Sequence, residues 1–219
     1  MAVKVKICGI KTPEALQAAL AARADLVGFV FYPPSPRSLA PEVAAELAEL
    51  ARGQATIVAL IVDADDAQIE RIVQTVNPDM LQLHGSETPE RVIEITRRWG
   101  KSVIKAIKVE TAADAAQALA YVGIARLVLF DAKAPKDLAG ALPGGNGLAF
   151  DWHLLDGVKD RVPYMLSGGL TPENVGAAIT ATGATIVDVS SGVETAPGIK
   201  SPDLIRRFID AARAVHAPA

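Results

Sequence analysis

The chain has 219 residues, 50% of them hydrophobic and 21% charged, with a formal net charge of −3 and no long run of one sign. The length is enough for a sizeable core and the composition is that of an ordinary globular chain. The charge balance argues against a nucleic-acid partner or a polybasic membrane anchor.

Short runs rich in Val, Ile and Leu alternate with longer amphipathic stretches from end to end. The strand runs fall at residues 3–8, 26–31, 56–62, 80–83, 102–107, 126–130, 164–167 and 186–190. Their near-continuous apolar character fits strands buried on both faces of a parallel sheet. The helix stretches between them are residues 13–22, 41–52, 67–76, 89–99, 112–120, 172–182 and 202–215. Thr12-Pro13, Thr88-Pro89, Thr171-Pro172 and Ser201-Pro202 each place a capping hydroxyl before a proline at a first helical position. The sixth unit is irregular. A Lys/Pro/Gly-rich loop follows Asp131 and runs to about Gly147, and a short helix is expected from Phe150-Asp151-Trp152.

Eight such units predict an α/β chain folded as a single-domain (β/α)8 TIM barrel over residues 1–219. The alternative is an open doubly wound sheet. It calls for Gly-x-Gly-x-x-Gly after the first strand, where this chain has Cys8-Gly9-Ile10-Lys11-Thr12. The N-terminus enters a strand within three residues, and no basic-then-apolar leader precedes it. No apolar run approaches the roughly 20 residues that span a bilayer. One cysteine cannot form an internal disulfide, so a cytoplasmic protein is expected.

In such a barrel the chemistry lies at the carboxyl ends of the strands. Those positions here are Cys8, the loop at residues 33–38, Asp63, His84-Gly85, Lys108, Asp131, Ser167-Gly168-Gly169 and Ser190-Ser191-Gly192. The last two groups, on the seventh and eighth strands, suit a phosphate: glycines admit close backbone approach, and free N–H groups attract an anion. Asp131 follows a buried strand, which fits a general acid with a raised pKa or, equally, a solvated cap. Cys8 is either a base in need of an electrostatic field or a small buried core residue; Lys6 should share its face. Arg37, in a proline-stiffened loop, is either a fixed carboxylate binder or a solvated arginine. His84 could face the pocket or bond the backbone, with the structural role slightly favoured. His153 and His216 carry no signal. The histidines and the cysteine form no metal-ligand spacing, so no catalytic metal is expected. The stretch from Lys133 to Lys136 is read as a solvated loop, or a mobile lid near an anionic substrate.

Taken together, these positions resemble the phosphoribosylanthranilate isomerase family. The resemblance rests on Lys6-Ile7-Cys8-Gly9-Ile10, on Gly28-Phe29-Val30-Phe31 with Ser35-Pro36-Arg37-Ser38, and on Gln82-Leu83-His84-Gly85. It continues through Gly144-Gly145-Asn146-Gly147 with Phe150-Asp151-Trp152, and through Leu166-Ser167-Gly168-Gly169-Leu170. It ends on Asp188-Val189-Ser190-Ser191-Gly192-Val193-Glu194 with Pro197-Gly198-Ile199-Lys200. Two departures stand out: Asn146 replaces a frequent threonine, and Asp131 follows Phe130 where many members have a leucine pair.

The resemblance implies a cofactor-free Amadori rearrangement in tryptophan biosynthesis, acting on phosphoribosylanthranilate as its small-molecule partner. It implies Asp131 as general acid and Cys8 as general base. Arg37 is implied to hold the anthranilate carboxylate. Gly168, Gly169, Ser190, Gly192 and Val193 are implied at the phosphate, and His84 and Asp188 elsewhere in the substrate site. A monomer is expected. Two other readings compete. A pentose-phosphate epimerase would need metal-ligating His and Asp at strand ends, and indole-glycerol-phosphate synthase a lysine pair and an N-terminal extension. A silent phosphate-binding barrel would not need both Cys8 and Asp131.

Overall fold

The computed structural model describes residues 2–133 and 144–215. Eight parallel strands close on themselves in chain order. They are β1 (Lys4–Cys8), β2 (Leu26–Val30), β3 (Thr56–Ile61), β4 (Met80–Leu83), β5 (Ser102–Val109), β6 (Leu127–Ala132), β7 (Tyr164–Leu166) and β8 (Ile186–Val189). The ring is shut where β8 pairs with β1, with Lys4 opposite Ile186 and Lys6 opposite Asp188. This is the (β/α)8 barrel expected from the alternation of runs.

The connecting helices are α1 (Pro13–Ala21), α2 (Pro41–Ala51), α3 (Asp66–Val76), α4 (Pro89–Trp99), α5 (Ala112–Ala116), α6 (Val175–Thr182) and α7 (Pro202–Ala214). Thr12, Thr88 and Ser201 cap α1, α4 and α7 as the sequence predicts, each side chain accepting a backbone N–H three residues on at 3.3 Å. The helix after Thr171-Pro172 differs: α6 begins only at Val175. Asn174 explains the delay. Its Oδ1 accepts from Thr171 N at 2.8 Å and its Nδ2 donates to Gly169 O at 2.9 Å, so residues 171–174 form a turn tied back to the seventh strand end. The stretch expected as one helix over residues 112–120 is α5 followed by a 3-10 turn, Gln117–Tyr121. The short helix of the sixth unit is also a 3-10 turn, Trp152–Leu155, capped by Asp151.

One element was not anticipated. β9 (Glu194–Ala196) and β10 (Ile199–Lys200) form a small antiparallel hairpin after β8. Its turn is Pro197-Gly198, and Gly198 has φ +80°, which suits a proline-glycine turn.

Side chains alternate across each strand. The outward set, including Val5, Ile7, Val27, Phe29 and Phe130, packs with the helices into the main core. The inward set forms a second apolar cluster of Leu26, Val58, Met80, Ile104, Ala106, Leu129 and Met165. Above that plug the inward positions turn polar: Lys6, Gln82, His84, Asp131, Ser167 and Asp188 are all buried. Most of the Lys/Pro/Gly-rich loop and His216 lie outside the described residues. Lys133 pairs with Glu110 at 3.0 Å and with Asp114 at 3.6 Å.

The plug is the floor of the barrel mouth, and Leu129 within it is fully buried. Leu129→Ala should lower unfolding stability by about 2–5 kcal/mol, whereas Leu50→Ala, on the exposed side of α2, should change it by no more than about 0.5 kcal/mol. Urea denaturation of both variants checks the contrast.

Candidate active site

Position along a strand decides which inward residues meet the pocket. Cys8 ends β1, Asp131 lies one residue from the end of β6, and His84 follows β4 directly. All three line one cavity with Val30, Leu60, Val62, Arg37, Ser167–Leu170 and Asp188–Ser191, roofed by residues 144–148. The structure therefore brings Cys8, Arg37, His84, Asp131, Gly168, Gly169, Asp188 and Ser190 together. Gly192 and Val193 stand behind this lining. Val193 is fully buried in the core, and a side chain at Gly192 would run into the Leu170 carbonyl.

Asp131 is 6% exposed. One oxygen accepts from Ala132 N at 3.0 Å, and the other meets His84 Nε2 at 3.2 Å. The imidazole thus faces the pocket, the first of the two placements the sequence left open. Gln82 Nε2 donates to His84 Nδ1 at 3.0 Å, leaving Nε2 to carry the proton toward Asp131. Gly144 lies directly over this contact: a methyl group there would be 2.5 Å from His84 Nε2 and 2.7 Å from Asp131 Oδ2.

The loop carrying His84 is held from behind. Lys105 Nζ pairs with Glu87 at 2.9 Å and donates to Gly85 O at 2.7 Å, while Glu87 accepts from Asp63 N at 2.9 Å. Any side chain at Gly85 would strike the Asp63 carboxylate, which accounts for a glycine directly after His84.

Beneath Cys8 lies a buried ion pair. Lys6 Nζ donates to Asp188 Oδ1 at 2.8 Å, and Ser167 Oγ donates to Asp188 Oδ2 at 3.2 Å. Lys6 does share the Cys8 face, as strand alternation requires. Gly28 on the neighbouring strand leaves room for both: a methyl there would be 3.0 Å from Cys8 Sγ and 3.2 Å from Lys6 Nζ. Burial pushes the Cys8 thiol up from its ordinary value; Lys6 and Lys200 pull it down and Asp188 pushes it up further.

Arg37 is 4% exposed and far from a solvated loop arginine. Its Nε and Nη2 each donate to Glu194 at 2.8 Å, and Nη2 also reaches Gly145 O at 3.2 Å. Sequence reasoning credited the prolines with fixing this side chain and missed Glu194. The signal available was the Pro197-Gly198 turn, which implies a hairpin and hence a place for Glu194. Burial pushes the Glu194 carboxyl up, but Arg37 and Lys200 overcome this and hold it below the ordinary carboxylate range.

At the other end of the cavity, Gly168 and Gly169 have φ +88° and +61°. Neither residue's N–H donates to a backbone carbonyl among the described residues, so both can serve an anion. A methyl at Gly169 would be 2.6 Å from Ala149 N, so this loop and the roof pack too closely for any other residue. Among the described residues no three of His, Cys, Asp and Glu converge as metal ligands.

Comparison with known proteins agrees with this geometry. Residues 5–211 match the family model described as N-(5'-phosphoribosyl)anthranilate (PRA) isomerase. The protein of that name from Parvibaculum lavamentivorans is 53% identical over 213 residues, covering 97% of this chain and 99% of that one. The crystal structure of phosphoribosyl anthranilate isomerase from Thermotoga maritima superposes with a TM-score of 0.87 at 38% identity, covering 97% of this chain and 100% of that chain. A structure of such an isomerase in complex with reduced 1-(o-carboxyphenylamino)-1-deoxyribulose 5-phosphate superposes with a TM-score of 0.84 at 36% identity, again covering 97% and 100%. With eight closed strands, a buried thiol and carboxylate at one mouth, and a family match across nearly its whole length, the chain belongs to the N-(5'-phosphoribosyl)anthranilate isomerase family.

Proposed function

We propose that this chain isomerises N-(5'-phosphoribosyl)anthranilate to 1-(2-carboxyphenylamino)-1-deoxyribulose 5-phosphate in tryptophan biosynthesis, with Asp131 as general acid and Cys8 as general base. The observation that carries these roles is their placement. The two groups stand on β1 and β6 around a single cavity, between a fixed guanidinium and a glycine-lined anion loop. Phosphate at Gly168, Gly169 and Ser190, and carboxylate at Arg37, would stretch the substrate across both. Val30, Leu60 and Val62 supply an apolar wall for the anthranilate ring.

The proton movements balance without a cofactor. Asp131 protonates the ring oxygen, the C1–O bond breaks toward that oxygen, and the nitrogen lone pair forms the C1=N iminium. The Cys8 thiolate takes the C2 proton; the electron pair makes C1=C2 and the iminium pair returns to nitrogen. The enolamine gives up its 2-hydroxyl proton as C1 takes one, leaving the ketone. His84 holds the Asp131 carboxylate at the reacting end, and Asp188 acts through Lys6 beneath the base.

We place the reaction in the cytoplasm, because a thiol that acts as base has to stay reduced, as it does in a reducing compartment. We also propose that residues 1–219 act as one domain and as a monomer. The large exposed apolar side chains among the described residues are few: Val43 and Leu50 on α2, Val122 after the 3-10 turn, and Ile199 on β10. Light scattering should return the mass of one chain; the mass of two would overturn this.

Loss of anthranilate-type fluorescence on adding purified protein to fresh phosphoribosylanthranilate tests the activity. Asp131→Asn and Cys8→Ser should each cut kcat by at least about a hundredfold while circular dichroism stays unchanged. A Cys8→Ser variant with near-normal turnover would remove the base assignment.

The base works only as thiolate, and burial raises its pKa. The Cys8 thiolate, titrated by its ultraviolet absorbance as the difference from Cys8→Ser, should therefore show a midpoint above the ordinary thiol value of 9.0. A midpoint at or below that value would overturn the account of a thiol raised by burial.

A further inference from the structure

Glu194 has no part in the reaction above, yet it is among the most heavily engaged side chains at the site. Its side chain is 4% exposed. Besides the two bonds from Arg37, it accepts from Lys200 Nζ at 2.7 Å and from Gly198 N at 3.1 Å. Lys200 in turn donates to Ser190 O at 2.9 Å and Ser190 Oγ at 3.2 Å. Ser190 Oγ donates to the Cys8 carbonyl at 3.1 Å.

The consequences follow from counting donors and charges. A guanidinium has five N–H groups. Glu194 engages Nε and Nη2 along one side of the fork, and the Gly145 carbonyl shares Nη2. Among the described residues no hydrogen bond is made by Nη1, which is left for an incoming anion. The direction from which Arg37 can meet a carboxylate is thereby set by Glu194, not by the flexible arginine chain. One carboxylate facing one cation would also cancel the charge that attracts the substrate. Lys200 counters this while its amine is charged: burial lowers its pKa and Glu194 opposes that shift, and Arg37 with a charged Lys200 against Glu194 leaves one positive charge. The same lysine grips the eighth strand end, where the phosphate is read to sit.

We propose that Glu194 is a positioning residue for substrate capture: it aims Arg37 Nη1 at the substrate carboxylate, with Lys200 keeping the cluster cationic and joining it to the phosphate loop. This rests on the reading that Arg37 binds that carboxylate. It assigns to the β9–β10 hairpin the task of fixing the distance between the two anionic ends of the substrate.

The test is a double-mutant cycle read in KM and kcat, with folding followed by circular dichroism and thermal melting. Glu194→Gln should raise KM by about tenfold or more, with kcat within about threefold of the parent. In the Arg37→Ala background the same change should raise KM by clearly less than in the parent, because the route through Arg37 is already gone and only the link through Lys200 remains. Glu194→Asp keeps the charge but is one methylene too short to span both cations, so it should shift KM in the same direction; it decides the matter if Glu194→Gln fails to fold. An unchanged KM in the folded single variant, or KM losses that multiply in the double variant, would overturn the proposal while leaving the Arg37 reading intact. An Arg37→Ala variant with unchanged KM would remove the carboxylate reading and this proposal together.

Discussion

The barrel closes on a buried ion pair. Lys6 and Asp188 are register partners at the seam where the last strand meets the first, and their side chains join at 2.8 Å with almost no exposure. Two charges taken out of water are expensive, and removing either partner typically costs about 3–5 kcal/mol because the other is left uncompensated. Here the arrangement is complete: Asp188 takes Lys6 on one oxygen and Ser167 on the other, so one carboxylate joins β1 and β8 to the end of β7. Burial alone would lower the Lys6 pKa; Asp188 and Cys8 carry it above its ordinary value, so the amine stays charged. The contact that completes the fold is therefore also the fixed charge beneath the thiol.

That placement bears on what kind of base Cys8 can be. Burial makes its thiolate scarce, and the ion pair gives opposing help, Lys6 favouring the thiolate and Asp188 disfavouring it. A thiol with a raised pKa is a stronger base for the fraction that is ionised. In the proposed mechanism the proton it takes is the one next to an iminium, whose acidity is greatest only after Asp131 has opened the ring. A base that is weakly populated until then is consistent with a site where the acid acts first. Gly28 belongs to the same device, since any side chain there would wedge between Cys8 and Lys6.

What could be read from the sequence and what could not divide along one physical line. Local signals were legible. The apolar runs located all eight strands to within two residues at either end, and Thr12, Thr88 and Ser201 marked helix starts through contacts three residues long. Thr171 failed because Asn174 offers the backbone a competing turn, a contest between two local motifs that a capping pattern alone does not resolve. The strand-end rule found Cys8, His84 and Asp131. Partners set by closure of the barrel were not legible. Glu194 lies 157 residues from Arg37; the Pro197-Gly198 turn signals a hairpin around it, but nothing near Arg37 marks it as the partner. Gln82 was visible only as a neighbour of His84, because its amide acquires meaning only once the ring beside it is known to face Asp131.

The same closure explains why a two-residue step along a strand changes a residue's task. Along β4 the inward positions run Met80, Gln82, His84; along β6 Leu127, Leu129, Asp131; along β8 Ile186, Asp188, Ser190. Each begins in the apolar plug and ends at the cavity. On β2 and β3 the progression stops short: Leu26, Gly28, Val30 and Val58, Leu60, Val62 carry no polar group at the top. A floor without polar atoms offers the buried charges above it no partner from below, so Lys6 turns to Asp188 and Arg37 to Glu194, with Ser167 and the Gly145 carbonyl adding to those pairs. The apolar stretch on β2 and β3 is the one part of the rim that makes no such demand. An aromatic ring can lie there without disturbing a charge pair, and in the proposed orientation the sugar and the phosphate fall on the strands whose polar groups reach the cavity. The orientation proposed for the substrate is thus a consequence of where the barrel wall stops being hydrophobic.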